Sequence, residues 1–407
     1  RLDARRPTPI DARRPTPVLA IVLVVGLVLA GCGGITPSDG RGPNDGATEL
    51  PSAGAAATPV PDPKHEVFGF VPYWEMDETI ADHLATVELT TLALFSVTHT
   101  RAGELDADQN GARRISGDPG TRMIREAHDR GTRVELVYTA FGEAKNRQFY
   151  DDPAAQARWI EVLIELVEEL GLDGVNVDVE GIAVADIPAY GGFVGALRSA
   201  LQARDPDAQV SVATPAGERG AAMALAAATA GADRIFLMGY DYHWEGSSAG
   251  ATSPIDRLDG DERDLVWSLD RYAALGVPVD RTILGLPLYG LTWPVIGPGV
   301  GSPATGRGDD WVPRRNLRVF ADPTFEPLYE PIQSVEFYSV PTDPADPDAG
   351  WNAVYYDSPR SLAPKLALAD ARGLAGAGFW AIGYERGLPG YAELIATFKA
   401  GDLPPTP

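Results

Sequence analysis

After Lys64 the chain repeats one pattern eight times: a short run rich in Val, Leu, Ile or Phe, then a stretch with apolar residues at helical spacing. That alternation predicts βαβ units and a parallel sheet. The expected strands are 67–73, 91–97, 133–138, 174–180, 209–214, 234–240, 282–289 and 376–382. They carry few charges, as strands covered on both faces should. Eight strand–helix pairs over residues 65–400 predict an α/β fold, a TIM (β/α)8 barrel, since an open doubly wound sheet would not need eight. The surplus between strands seven and eight, about residues 294–355, holds a strand-like piece at 334–340. It predicts a small α+β insertion beside the barrel mouth; the alternative is a long irregular loop, uncommon at this length unless functional.

Two helices show their punctuation directly. Asp152 can cap a helix that has Pro153 in its first turn, Trp159, Leu163, Leu166 and Leu170 on one face, and Gly171 at its end. Ser358-Pro359 and Gly373 bracket another in the same way.

Residues 1–64 read differently. Arg1, Arg5, Arg6, Arg13 and Arg14 precede a 13-residue apolar run, Val18 to Ala30, which is within signal-peptide range and short for a bilayer span. The run ends in Leu29-Ala30-Gly31-Cys32, which resembles a bacterial lipoprotein lipobox. Residues 1–31 are therefore expected to be an export signal and Cys32 a lipidated cysteine. Residues 32–64, rich in Pro, Gly and Ala, are expected to be a flexible tether reaching roughly 30 Å. The expectation is an extracytoplasmic monomer that touches the membrane through lipid only, with the choice of inner or outer membrane open. Cys32 is the sole cysteine, so no disulfide can form within the chain.

The net charge is -23, from 57 acidic and 34 basic residues, and no Lys/Arg-rich run reverses it locally. Such a chain repels phosphate backbones, which argues against nucleic acid as a partner. No phosphate loop, dinucleotide fingerprint or nucleophile elbow is present, and no cofactor or metal is expected. His243 stands alone, without a second ligand at usable spacing, so a hydrogen-bonding role is expected for it.

The fourth strand runs Asp173-Gly174-Val175-Asn176-Val177-Asp178-Val179-Glu180. Alternation puts the valines on one face and Asn176, Asp178 and Glu180 on the other. With the valines against the helices, an amide and two carboxylates point into the barrel, and Glu180 is nearest the C-terminal rim where TIM-barrel active sites sit. Crowding two carboxylates in a partly dry space raises at least one pKa. That suits a protonated general acid at the rim; a salt-bridged or metal-binding acidic pair is the alternative that the strand alone leaves open.

On these residues the chain resembles glycoside hydrolase family 18, which includes chitinases and peptidoglycan-directed glucosaminidases. The family's strand-four pattern, Asp-x-x-Asp-x-Asp-x-Glu, is met by Asp173, Asp178 and Glu180, with Asn176 in place of the second Asp. Met238-Gly239-Tyr240-Asp241 is similar to the family's Met-x-Tyr-Asp, and Gly378-Phe379-Trp380-Ala381 supplies the strand-eight Trp. The resemblance spans roughly residues 67–394.

It implies a retaining, substrate-assisted hydrolysis of β-linked N-acetylglucosamine-containing polysaccharide. In that scheme Glu180 protonates the glycosidic oxygen, Asp178 holds the acetamido N–H, Tyr240 hydrogen-bonds the acetamido oxygen, Trp380 forms the floor, and Asp241 contacts the same sugar. Asn176, Tyr73 and Met238 are further expected substrate-binding residues. Among other aromatics near strand ends, Trp74, Phe95, Tyr242, Trp244, Tyr289 and Trp293, about half are expected to line the groove.

Two departures matter. Asn176 cannot share a proton with Asp178, so Asp178 is expected to stay ionised and fixed by an amide hydrogen bond. The family's Ser-x-Gly-Gly after strand three is replaced by Tyr138-Thr139-Ala140-Phe141-Gly142, which points away from a typical chitinase, and within the resemblance Asn176 shifts the expected target from crystalline chitin towards cell-wall or cortex glycan. A catalytically weak or inactive carbohydrate-binding protein on the same fold is the alternative. A tethered adaptor with a vestigial barrel would be favoured if Trp380 faced outward.

Overall fold

The computed structural model describes residues 63–403. The expected export signal, Cys32 and all but the end of the tether lie outside the described residues. Seven strands come first: β1 Glu66–Pro72, β2 Thr91–Val97, β3 Arg133–Phe141, β4 Gly174–Glu180, β5 Gln209–Pro215, β6 Arg234–Met238 and β7 Thr282–Pro287. Five more, β8 Gly290–Val295, β9 Asp309–Trp311, β10 Leu328–Glu330, β11 Val335–Pro341 and β12 Trp351–Tyr356, precede the last, β13 Gly376–Trp380. Strands β1 to β7 and β13 pair in parallel and close into a barrel, with β13 between β7 and β1. Each of these eight strands begins within one residue of its expected start.

Two cores, one on either side of the strands, hold the barrel together. Val175, Val177 and Val179 face outward and join the helices in a continuous apolar layer. Phe68, Phe70, Ala93, Phe95, Val137, Ala213, Phe236 and Ile283 fill the interior. Two glycines make room for the Phe236 ring. A Cβ on Gly285 or Gly378 would lie 2.4 or 2.6 Å from it, well inside van der Waals contact.

The helices end where the sequence says. The helix Pro153–Leu170 is capped by Asp152, whose carboxylate accepts from Ala154 and Ala155 N–H at 3.0 Å, and it stops at Gly171 in the left-handed region, φ 63°. Ser358 caps Pro359–Ala371 in the same manner. Among the described residues no helix is long and apolar enough to cross a membrane.

The insertion is almost wholly β. Its antiparallel sheet, in the order β10-β11-β12-β8-β9, carries its own core of Leu291, Trp293, Phe337 and Tyr355, and one four-residue α-helix, Leu317–Phe320. It begins at Gly290, a few residues before the expected 294, because the apolar residues that continue strand seven in the sequence belong to a different sheet.

Candidate active site

Strand β4 places the acids. Its register with β3 sets Asn176 beside Val137, Asp178 beside Thr139 and Glu180 beside Phe141. Val137 belongs to the interior core, so the alternate row Asn176, Asp178, Glu180 faces the inside of the barrel. The row climbs from dry to wet: Asn176 is 0% exposed, Asp178 5%, and Glu180 is half-buried.

That gradient controls protonation. Burial, and then the Glu180 charge, push the Asp178 carboxyl well above the usual carboxylate range. Burial, and then Asp241, push Glu180 up as well. Two carboxyls on one dry face do not ionise together cheaply, so the pair favours keeping a proton. The Glu180 main chain is pinned: its carbonyl accepts from Gly142 N–H at 3.0 Å and from Asn146 Nδ2 at 2.6 Å.

Asn176 does not act as expected. It lies below the cleft, out of a substrate's reach, and its amide donates to Ser211 Oγ at 2.7 Å rather than to Asp178. Ser211 has its own hydrogen committed to Glu135. The geometry therefore gives Asp178 no amide donor, and its buried Oδ1 and that of Asn176 are both without a hydrogen-bond partner. An ionised Asp178 fixed by that amide is not what the structure holds; burial without a donor drives the carboxyl towards its neutral form. Glu135 itself is fully buried, and desolvation lifts its pKa to about 7 against the Ser211 hydrogen bond.

At the end of β6, Met238 and Tyr240 reach the same space. Burial, then the neighbouring Asp178, Asp241 and Glu180 charges, keep the Tyr240 hydroxyl protonated well above its ordinary range. Asp241 sits at φ 62°, a left-handed backbone unusual for a residue with a side chain. Its N–H donates to Thr252 Oγ1 at 3.0 Å, and its carboxylate accepts from Thr252 and from the Tyr289 hydroxyl. This turn ends β6 two residues earlier than expected and presents the carboxylate to the cleft.

Trp380 faces inward. It packs edge-on to Phe95 at 4.7 Å and tilted to Phe70 at 5.9 Å, with the half-exposed Trp74 6.3 Å away. An outward Trp was the mark of a vestigial barrel, and the structure does not show it.

Asp178, Glu180, Met238, Tyr240, Asp241, Trp380 and Tyr73 thus line one cleft of about 1520 Å³ at the C-terminal ends of the strands. Of the seven aromatics weighed, Tyr73 included, only Trp293 is absent, buried in the core of the insertion. The groove is more aromatic than expected: Tyr73 and Trp74 follow β1, Phe95 lies on β2, Tyr242 and Trp244 follow β6, and Tyr289 follows β7. Sequence reasoning missed Phe141, Lys145, Asn146, Ser211 and Glu135. Phe141 was readable in part: β3 runs on to residue 141, which places this ring, 49% exposed, beside Glu180.

Asp173 lies at the other end of the barrel. It accepts from Val134 N–H at 2.6 Å and pairs with His128, tying β4 to β3, just as Asp233 accepts from Val210 N–H at 2.9 Å. His243 is buried and hydrogen-bonded to the Ser248 carbonyl through Nδ1 at 2.9 Å. No cluster of three His, Cys, Asp or Glu side chains among the described residues could hold a metal ion.

The model of glycosyl hydrolases family 18 matches residues 67–385. The provisionally named sporulation-specific glycosylase YdhD of Bacillus subtilis is 26% identical over 266 residues, which is 64% of this chain and 59% of that protein's length. Among solved structures, the Bacillus cereus spore cortex-lytic enzyme SleL aligns with a TM-score of 0.64 at 19% identity, over 82% of this chain and 74% of SleL. A class V chitinase variant of Nicotiana tobaccum in complex with NAG4 aligns with a TM-score of 0.68 at 16% identity, over 83% of this chain and 100% of the chitinase.

Proposed function

This chain belongs to glycosyl hydrolases family 18 and is a glycoside hydrolase, and from that premise we propose that it cleaves β-linked N-acetylglucosamine-containing polysaccharide by a retaining, substrate-assisted mechanism. The observation that carries the proposal is the pair Asp178 and Glu180 on one inward face of β4, both held towards the protonated form inside an aromatic cleft.

Glu180 at the rim is the general acid, since burial and then the Asp241 charge hold its pKa above the ordinary carboxylate value and favour the protonated form. The substrate's own acetamido oxygen attacks the anomeric carbon as the leaving oxygen takes that proton, giving an oxazolinium. Asp178 accepts the acetamido N–H. Burial favours the neutral form of Asp178 before substrate binds; as the acetamido N–H docks, that proton leaves to solvent, and the resulting carboxylate balances the positive charge that grows on the oxazolinium. Tyr240 donates to the acetamido oxygen, Trp380 supports the apolar face of the sugar, and Asp241 holds its hydroxyls. Water, deprotonated by Glu180, then opens the oxazolinium from the face the leaving group occupied, and the configuration is retained.

The substrate we favour is cell-wall glycan, with chitin oligosaccharide as the neutral comparator. YdhD and SleL carry sporulation and cortex-lytic names, and the Nicotiana enzyme holds NAG4. We further propose that Cys32 carries the lipid that keeps the barrel near that wall, a reading supported by the sequence before it. The mechanism is tested by incubating the full chain with N-acetylglucosamine hexamer and its fully deacetylated counterpart, following product anomers by proton NMR. Initial formation of the β-anomer from the acetylated hexamer only is expected; an α-anomer, or equal cleavage of the deacetylated chain, would overturn substrate assistance.

A further inference from the structure

The cleft contains a cation that the proposed chemistry does not use. Lys145 lies on the helix Glu143–Tyr150, directly after β3, and lines the cleft together with Glu180 and Phe141. The next residue, Asn146, is the one that docks on the Glu180 carbonyl, so the helix carrying Lys145 is fixed against the strand of the acid.

The ammonium is held but not neutralised. Nζ donates to Thr98 Oγ1 at 2.7 Å, and Thr98 is itself fixed because its hydroxyl donates to the Thr139 carbonyl at 2.5 Å. Among the described residues no carboxylate comes within ion-pair distance of Nζ; burial pushes its pKa down, and the charge of Asp106 only partly opposes that. An ammonium has three donors, and one is used. A half-buried charge with two unfilled donors facing a cleft is costly unless something fills it. Lys145 does not tune the acid either, since the charge that acts on Glu180 is Asp241. Two of the other cations at this mouth are engaged: Arg257 binds Asp259 and the Tyr242 carbonyl, and Arg263 binds Asp261. Arg219, exposed on the helix that follows β5, reaches the cleft from the other side of β4, on a helix that makes no hydrogen bond to Glu180.

Resting on the hydrolase reading and deepening it, we propose that Lys145 receives a carboxylate of the substrate, so that the glycan bears an acidic N-acetylated sugar, of the 3-O-lactyl ether type, in the subsite beside Glu180. A strongly acidic protein facing an acidic polymer needs such a point of attraction. The contact is a charge-assisted hydrogen bond, of a kind strong enough to sort substrates that differ only in this group.

The test uses the full chain and three glycans: peptide-free strands alternating N-acetylglucosamine and N-acetylmuramic acid, the same strands with their carboxyls converted to methyl esters, and N-acetylglucosamine hexamer. We expect kcat/KM on the free acid to exceed that on the ester by about 10- to 100-fold at low salt, with the ratio shrinking as salt rises. Lys145→Met brings the ratio close to one, and Lys145→Arg keeps most of it; Lys145→Gln substitutes for the Met variant if that one fails to fold. Cleavage of the hexamer with no preference between acid and ester, or a preference that survives Lys145→Met, overturns the carboxylate subsite alone. No cleavage of any of the three overturns the hydrolase reading and the subsite with it.

Discussion

Asn146 donates its side-chain amide to the main-chain carbonyl of Glu180 across 2.6 Å while being fully buried itself. The bond joins the helix after β3 to the last residue of β4 and fixes the angle at which the acid leaves the strand. Asn146→Ala is expected to lower kcat by about 10-fold with KM little changed, because a small misplacement of an acid costs rate before it costs binding. Stability should fall by only about 1–2 kcal/mol, since Gly142 still donates to the same carbonyl. Steady-state kinetics beside a denaturant melt separates the two effects.

Asp241 raises the pKa of Glu180, so its removal has a definite sign. The acid must be protonated to act, and activity is lost as pH rises through its pKa. Asp241→Asn removes a negative charge, lowers that pKa and moves the alkaline limb of kcat/KM to lower pH. The limb should not move to higher pH. A pH–rate profile on N-acetylglucosamine hexamer reads it.

Glu135 couples the barrel interior to pH. Its pKa is about 7 in the folded protein against 4.5 ordinarily, from burial opposed by the Ser211 hydrogen bond and Arg133, and aided by Asp233 and Glu66. A carboxyl raised on folding contributes stability below its unfolded pKa and loses it as pH climbs to the folded value. Wild type should therefore lose on the order of 3 kcal/mol between pH 4.5 and 7 from this group. Glu135→Gln keeps an acceptor for Ser211 and removes the titration, so denaturant melts at both pH values should show a smaller fall in the variant.

The sequence made the eight barrel strands readable because each is a compact apolar run, and the inward row of β4 because alternation is a local property. What it hid depends on pairs far apart in the chain. Ser211, which accepts from the Asn176 amide, lies 35 residues from it, and Glu135, which accepts from Ser211, lies 76 residues from Ser211; no local pattern announces either. Trp293 reads like a groove aromatic because it follows strand seven, yet β8 turns away into the insertion sheet and buries it. Lys145 reads as one more charged residue on a short polar helix; only the docking of that helix on Glu180 brings it to the cleft.

The crossover into β13 depends on a buried ion pair. Lys365 Nζ donates to Asp357 at 2.5 Å with both side chains excluded from water, and Ser361 and Tyr391 donate to the same residue. Lys365→Met should cost about 3–5 kcal/mol by leaving Asp357 buried and unpaired, whereas adding Asp357→Leu should restore much of the loss. Urea denaturation of the single and double variants distinguishes a needed charge from a replaceable one.

The general-acid role of Glu180 stands or falls with Glu180→Gln. The substitution keeps size and hydrogen bonding and removes only the transferable proton. Release of reducing ends from N-acetylglucosamine hexamer and from peptide-free wall glycan should drop at least about 1000-fold, beyond the usual share of a general acid because the same group also activates the water, while binding of the oligosaccharide, followed by calorimetry, remains within a few-fold of wild type. Hydrolysis by Glu180→Gln at a rate near that of wild type would mean that another group supplies the proton and that Glu180 is not the acid.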